Sequence, residues 1–152
     1  MGKLTKVLNV EWGTIKLEDN TRIVFRAAIV DAIPSQEISP FGVEFGVNVA
    51  TGISVYPSPE SIKEVEGKEV SPPGVTPPKE GWVRVKILEK ESAIEEVEYI
   101  DPILGRYRIR VEFEPAMVSK NTKVRTLNGE PLYMVRWAPK ITWEELTEDG
   151  EG

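Results

Sequence analysis

The sequence predicts a mainly β protein: a single-domain antiparallel β-barrel or β-sandwich with one or two short helices. Three observations predict it. Apolar and polar residues alternate with a period of two along several stretches, the repeat of a strand with one buried face. Turn signals rich in Gly, Asn, Asp and Pro separate those stretches. Only one segment carries a convincing helix start. Many short strands with frequent turns define a barrel or a sandwich without choosing between them. With 152 residues, 40% of them apolar, the chain suffices for one domain that buries about 70% of its unfolded surface. The predicted organisation is one β-rich domain over 1–145, with an acidic, flexible tail over 146–152.

The elements follow in chain order. Segments 14–17 and 22–31 flank Glu18-Asp19-Asn20-Thr21 and read as a hairpin. Residues 23–30 are apolar on both faces except at Arg26, the pattern of a central strand. Val43, Phe45, Val47 and Val49 alternate with Glu44, Gly46, Asn48 and Ala50; Thr51-Gly52 then reads as the turn of a second hairpin leading to 53–56. Ser58 is a natural N-cap with Pro59 at the first helical position, and Gly67 closes that helix. Residues 71–79 hold Pro72, Pro73, Gly74, Pro77 and Pro78, which cannot join a ladder and form a loop.

Val83, Val85 and Ile87 alternate with Arg84 and Lys86. Residues 92–99 fit either a short helix, through Ile94 and Val97, or an irregular strand. Residues 106–113 are the clearest half-buried strand: Tyr107, Ile109, Val111 and Phe113 face one way, and Arg106, Arg108, Arg110, Glu112 and Glu114 the other. Asn128-Gly129 marks a turn before Tyr133, Val135 and Trp137, which alternate with Met134 and Arg136.

The most specific functional statements come from missing residue types. The chain has no His and no Cys. Ser-His-Asp and Cys-His catalytic sets cannot be built, nor can the His/Cys ligand sets of zinc sites or any disulfide. No metal and no cofactor are expected. Glu95, Glu96 and Glu98 lack the Asp/Asn/Gly spacing of a calcium loop and read as a solvated run. Glu112 and Glu114 sit beside arginines that keep carboxylates ionised, which suits ion pairing better than acid catalysis. An enzyme relying on carboxylates alone is therefore the weakest of the functional readings. No apolar run approaches the roughly 18 residues of a membrane helix, and no secretory signal pattern is present, so a cytoplasmic protein without membrane contact is expected. The chain has 21 Glu against 4 Asp, 11 Lys and a single Gln, a bias that points to a thermophile.

Charge is unevenly distributed. The net charge is −6, yet residues 101–140 hold eight basic residues against four acidic ones. Arg106, Arg108 and Arg110 lie on one strand face about 7 Å apart. With Lys120, Lys123, Arg125 and Arg136, they form a candidate surface for an anionic ligand such as RNA or DNA. The plainer reading is a solvated face of cross-strand ion pairs, and by parity Tyr107, Tyr133 and Trp137 belong to the core. Phe41, Phe45 and Trp143 are candidate interface residues, with Trp143 equally suited to stapling the C-terminal segment onto the body. Absent catalytic chemistry and many strand edges in need of cover favour a self-associating, homo-oligomeric assembly module; nucleic-acid binding through the basic strand is the alternative.

Overall fold

The computed structural model describes residues 2–147. Over these residues the chain forms eleven strands and one short helix: β1 (Lys3–Glu11), β2 (Gly13–Leu17), β3 (Arg22–Ser39), β4 (Gly42–Tyr56), α1 (Pro59–Glu64), β5 (Glu69–Val70), β6 (Trp82–Val85), β7 (Ile87–Glu91), β8 (Ala93–Asp101), β9 (Gly105–Asn121), β10 (Val124–Arg125) and β11 (Leu132–Leu146). One antiparallel sheet has the order β1-β8-β9-β11, with β6 also pairing with β9 beyond the end of β8. The other has the order β4-β3-β2-β7, and β5 and β10 make a separate two-residue parallel pair. Neither sheet closes on itself, so the architecture is sandwich-like rather than a closed barrel.

The period-two pattern explains the core. Ile15, Leu17, Ile23, Phe25, Ala27 and Ile29 point inward from β2 and β3 and pack with Val97, Tyr99, Ile109, Val111 and Val118 of the opposing sheet. Tyr107, Tyr133 and Trp137 also lie in or against this core, as their parity predicts. Gly13 is required by close approach: a Cβ there would stand 2.1 Å from the Phe25 ring. The β2–β3 turn forms where expected, with Asn20 at φ 67°, a conformation Asn tolerates better than most residues. Ser58 caps α1 by accepting from the Ser61 N–H, with Pro59 opening the helix.

Two elements depart from the sequence reading, and one that it left open, 92–99, is decided in favour of a strand. Thr51-Gly52 is not a turn. It lies inside β4, opposite Ala27 and Arg26, because the long β3 offers a ladder partner along the whole strand; Gly52 is not among the glycines with positive φ. Residues 92–99 contribute to β8 rather than to a helix. Their inward set is Ala93, Glu95, Val97 and Tyr99, and a buried carboxylate in that set masks the alternation. β11 runs through Leu146, a buried residue within the segment read as tail; residues 148–152 of that tail lie outside the described residues.

One irregularity in β9 matters for everything downstream. Against β11, Arg136 faces Met117 whereas the next residue, Trp137, faces Pro115, so Ala116 is an extra residue in β9. Such a bulge reverses the inward-outward alternation after it. Ahead of it Ile109 and Val111 are buried; beyond it Val118 and Lys120 are.

Candidate functional site

The arginine stripe sits where the sequence puts it, on the outer face of β9, flanked by β8 and β11. Each guanidinium is met by carboxylates. Arg106 donates to Glu98 at 2.7 Å, and Glu98 also accepts from the Thr5 hydroxyl at 2.8 Å. These hydrogen bonds, Arg106 first, hold the Glu98 carboxyl below its ordinary pKa despite burial. Arg108 lies between Glu96 and Glu144 at 3.6 and 3.4 Å, and Arg110 between Glu112 and Glu96 at 3.1 and 3.9 Å. The stripe is thus one half of a cross-strand charge ladder. Its cations already have anionic partners, so a polyanion would have to displace carboxylates held on the same sheet.

Lys120 is not a surface cation. The Ala116 bulge turns it inward, where its side chain is only 8% exposed. There it donates to Asp19 at 2.9 Å and pairs with Glu64. Asp19 also accepts from Ser61 and from the Tyr133 hydroxyl, both at 2.7 Å. Burial alone would raise the Asp19 pKa, but hydrogen bonds from Ser61, Tyr133, Lys120 and the Thr21 backbone outweigh it and bring it down to about 2. Burial chiefly pushes the Tyr133 hydroxyl up to about 12. For Lys120 burial works against the charged form, yet Glu64 and Asp19 prevail and its pKa is raised. An ammonium held charged in this way is no general base, and Ser61 is fully buried. The cluster ties the β2–β3 turn, α1, β9 and β11 together; its chemistry is structural.

The remaining cations are dispersed. Lys123 is exposed just after β9, Arg125 is half-buried on β10, and Arg136 is exposed on β11. Arg136 shares a groove of about 270 Å³ with Arg84, Met117, Ser119 and Met134. Arg84 escapes a reading based on the basic block because it lies outside 101–140; only its place in the alternation 83–87 marks it as outward-facing.

The three candidate interface residues separate. Phe45 is buried, with its ring 5.1 Å from Tyr99, 5.1 Å from Tyr107 and 5.5 Å from Trp143. Trp143 is half-buried in that cluster, which fastens β11 to the body. Phe41 is 85% exposed at the tip of the arm formed by the outer parts of β3 and β4, and Ile33 and Ile38 are also exposed there.

Strand edges complete the inventory. The edges of the first sheet are β1 and β11, with the four-residue β6 also paired on one side only, and those of the second are β4 and β7. β1 carries Lys3, Lys6 and Glu11, the short β7 carries Glu89, Lys90 and Glu91, and β11 carries Pro139 with Arg136, Lys140, Glu144 and Glu145. Charges, Pro and short length are the usual protections of an edge. β4 has fifteen residues, no Pro, and Glu44 as its one charge, and Glu44 is tied to the Ser39 hydroxyl. Its free edge can be assigned. The Ile29 N–H donates to the buried Glu95 carboxylate at 2.7 Å, so it points away from β4. Ile29 faces Val49, and in an antiparallel pair of this kind both N–H groups point outward. By the period of two, the N–H groups of Val49, Thr51, Ile53 and Val55 line the open side of β4.

Among the described residues no group of three or more Asp or Glu is arranged to hold a metal ion, and no helix is long and apolar enough to cross a membrane. Comparison with protein-family models, with curated proteins and with solved structures gives no match to this chain.

Proposed function

We propose that this chain is an assembly module that pairs with a second copy of itself along β4. The observation that carries the reading is the contrast among the edges: β1, β6, β7 and β11 are short, charged or interrupted by proline, whereas β4 is none of these and is also one of the longest. Identical strands pair antiparallel about a twofold axis, which makes one continuous sheet across two copies. An axis at Val49 sets Gly42 of one copy opposite Tyr56 of the other and brings the exposed Phe41 beside the exposed Tyr56. Apolar surface left open on the arm is then covered by the partner. The paired arginines of β9 give less support to nucleic-acid binding through that strand, and the satisfied, buried Asp19–Lys120 cluster gives none to catalysis. The Cys-free, Glu- and Lys-rich composition suits a heat-adapted cytosolic protein.

Light scattering across a concentration series tests the reading. The chain should run as a dimer, and Thr51→Pro and Asn48→Lys should each yield a monomer with an unchanged circular dichroism spectrum. Thr51→Pro removes an N–H on the open side of β4 and so leaves the ladder to β3 intact. A wild-type chain that stays monomeric at millimolar concentration would sink the proposal.

A further inference from the structure

The groove at the β6 end of the first sheet has the chemistry of an oxyanion site. Ser119 of β9 lies opposite Arg84 of β6 on one side and Met134 of β11 on the other, and Arg136 faces Met117 one step along. Val85, Val118 and Val135 point toward the core, so their neighbours Arg84, Ser119, Met134 and Arg136 share the outward face. The bulge at Ala116 creates this arrangement: without it Ser119 would face inward. The open groove has a volume of about 270 Å³, and an adjoining one of about 360 Å³ shares Arg84 and Met117 and adds Lys86, Lys90 and Glu89.

Among the described residues the side-chain donors of Arg84 and Arg136 are unused, as are those of Arg22 and Arg125 elsewhere in the fold. Among these residues neither Arg84 nor Arg136 has a carboxylate within 4.0 Å, whereas Arg106, Arg108 and Arg110 on the same sheet all do. Two guanidinium groups and a hydroxyl, carried by three adjacent strands, approach the same concavity from different sides. That disposition matches a tetrahedral dianion better than a planar carboxylate, and guanidinium is the cation that grips phosphate oxygens best. No aromatic side chain lines the groove, so a nucleobase would find no stacking platform there. The geometry points to a phosphate-binding site formed by Arg84, Ser119 and Arg136. The site is independent of β4, which lies in the other sheet.

Calorimetric titration of the full chain with inorganic pyrophosphate at low salt tests this. Saturable binding with one site per chain is expected, weakened about tenfold or more by Arg84→Gln and by Arg136→Gln and unchanged by Arg110→Gln. A nucleoside diphosphate separates the sources of the phosphate: equal affinity identifies the bare phosphate group as the ligand, and tighter binding identifies a nucleotide, with the site upheld either way. Absence of binding at millimolar pyrophosphate would overturn the inference. So would equal weakening by Arg110→Gln, or succinate binding as tightly as pyrophosphate, because either result means diffuse charge attraction rather than a built site.

Discussion

Lys120 and Asp19 stand 101 positions apart in the chain and 2.9 Å apart in the fold, in an ion pair almost closed to water. Removing the cation by Lys120→Met leaves Asp19 buried without its charge partner, and the expected loss is about 3 kcal/mol in urea denaturation. Adding Asp19→Asn to that variant should recover much of the loss, since the uncompensated charge goes with it.

The same carboxylate sets a pH dependence. Its pKa falls from an ordinary 3.8 to about 2 on folding. A group whose pKa is depressed in the folded state contributes its stability in full above its unfolded pKa. Discounted for the solvent that still screens the carboxylate, that contribution, about 1 kcal/mol, should therefore be complete above pH 5 and lost as the pH falls from about 4 toward 2. Acid titration of stability in the wild type and in Asp19→Asn measures it as the difference between the two slopes below pH 4.

Arginines that look equivalent in the sequence should differ in worth. Arg106 serves Glu98, whose side chain is 6% exposed. Arg106→Gln should cost about 2 kcal/mol, because a buried carboxylate loses its charged donor. Arg110 pairs at the surface with the more open Glu112, and Arg110→Gln should cost under about 1 kcal/mol. Parallel denaturation curves give both values, and equal losses would contradict the distinction.

Deleting Ala116 should be tolerated better than Lys120→Met. It removes the extra residue, so Met117 follows Pro115 directly, and Val118 and Lys120 stay inward and Ser119 outward, in register with β11. Soluble yield and the near-ultraviolet dichroism of the buried aromatic cluster report the outcome, and a deletion variant that fails to fold would refute the reading of Ala116 as an extra residue.

Hydrogen exchange reads the open side of β4 directly. The amides of Val49, Thr51, Ile53 and Val55 should exchange fast in dilute solution and slow as the concentration rises. The intervening amides of Ala50, Gly52 and Ser54, which face β3, should stay protected throughout.

The sequence made the alternating strands legible because period-two burial is written locally. Residues 106–113, 133–137 and the β2–β3 turn all lie as read. What it concealed came from partners distant in the chain. Thr51-Gly52 has a turn's composition but lies extended, because β3 is long enough to pair past it. Glu95 interrupts an apolar alternation for the sake of one N–H on β3 and the Arg26 guanidinium 3.4 Å away. The bulge at Ala116 carries no compositional mark, yet bulging it out of the pleat is what keeps Lys120 interior and Ser119 exterior. The arginine stripe and its cross-strand pairing were both readable, but the partners were not, because Glu96 and Glu98 become its neighbours only through the β8–β9 hairpin.

Edge protection also governs how far joining could go. When an unguarded strand meets its own twin, each copy spends the one margin it had available. The outermost strands of the merged sheet are then the two copies of β7, short and charged, while the second sheet of each copy keeps its proline and lysine borders. Growth has nowhere to continue, so a chain built this way stops at a pair and is spared the fibrous stacking that open β margins invite.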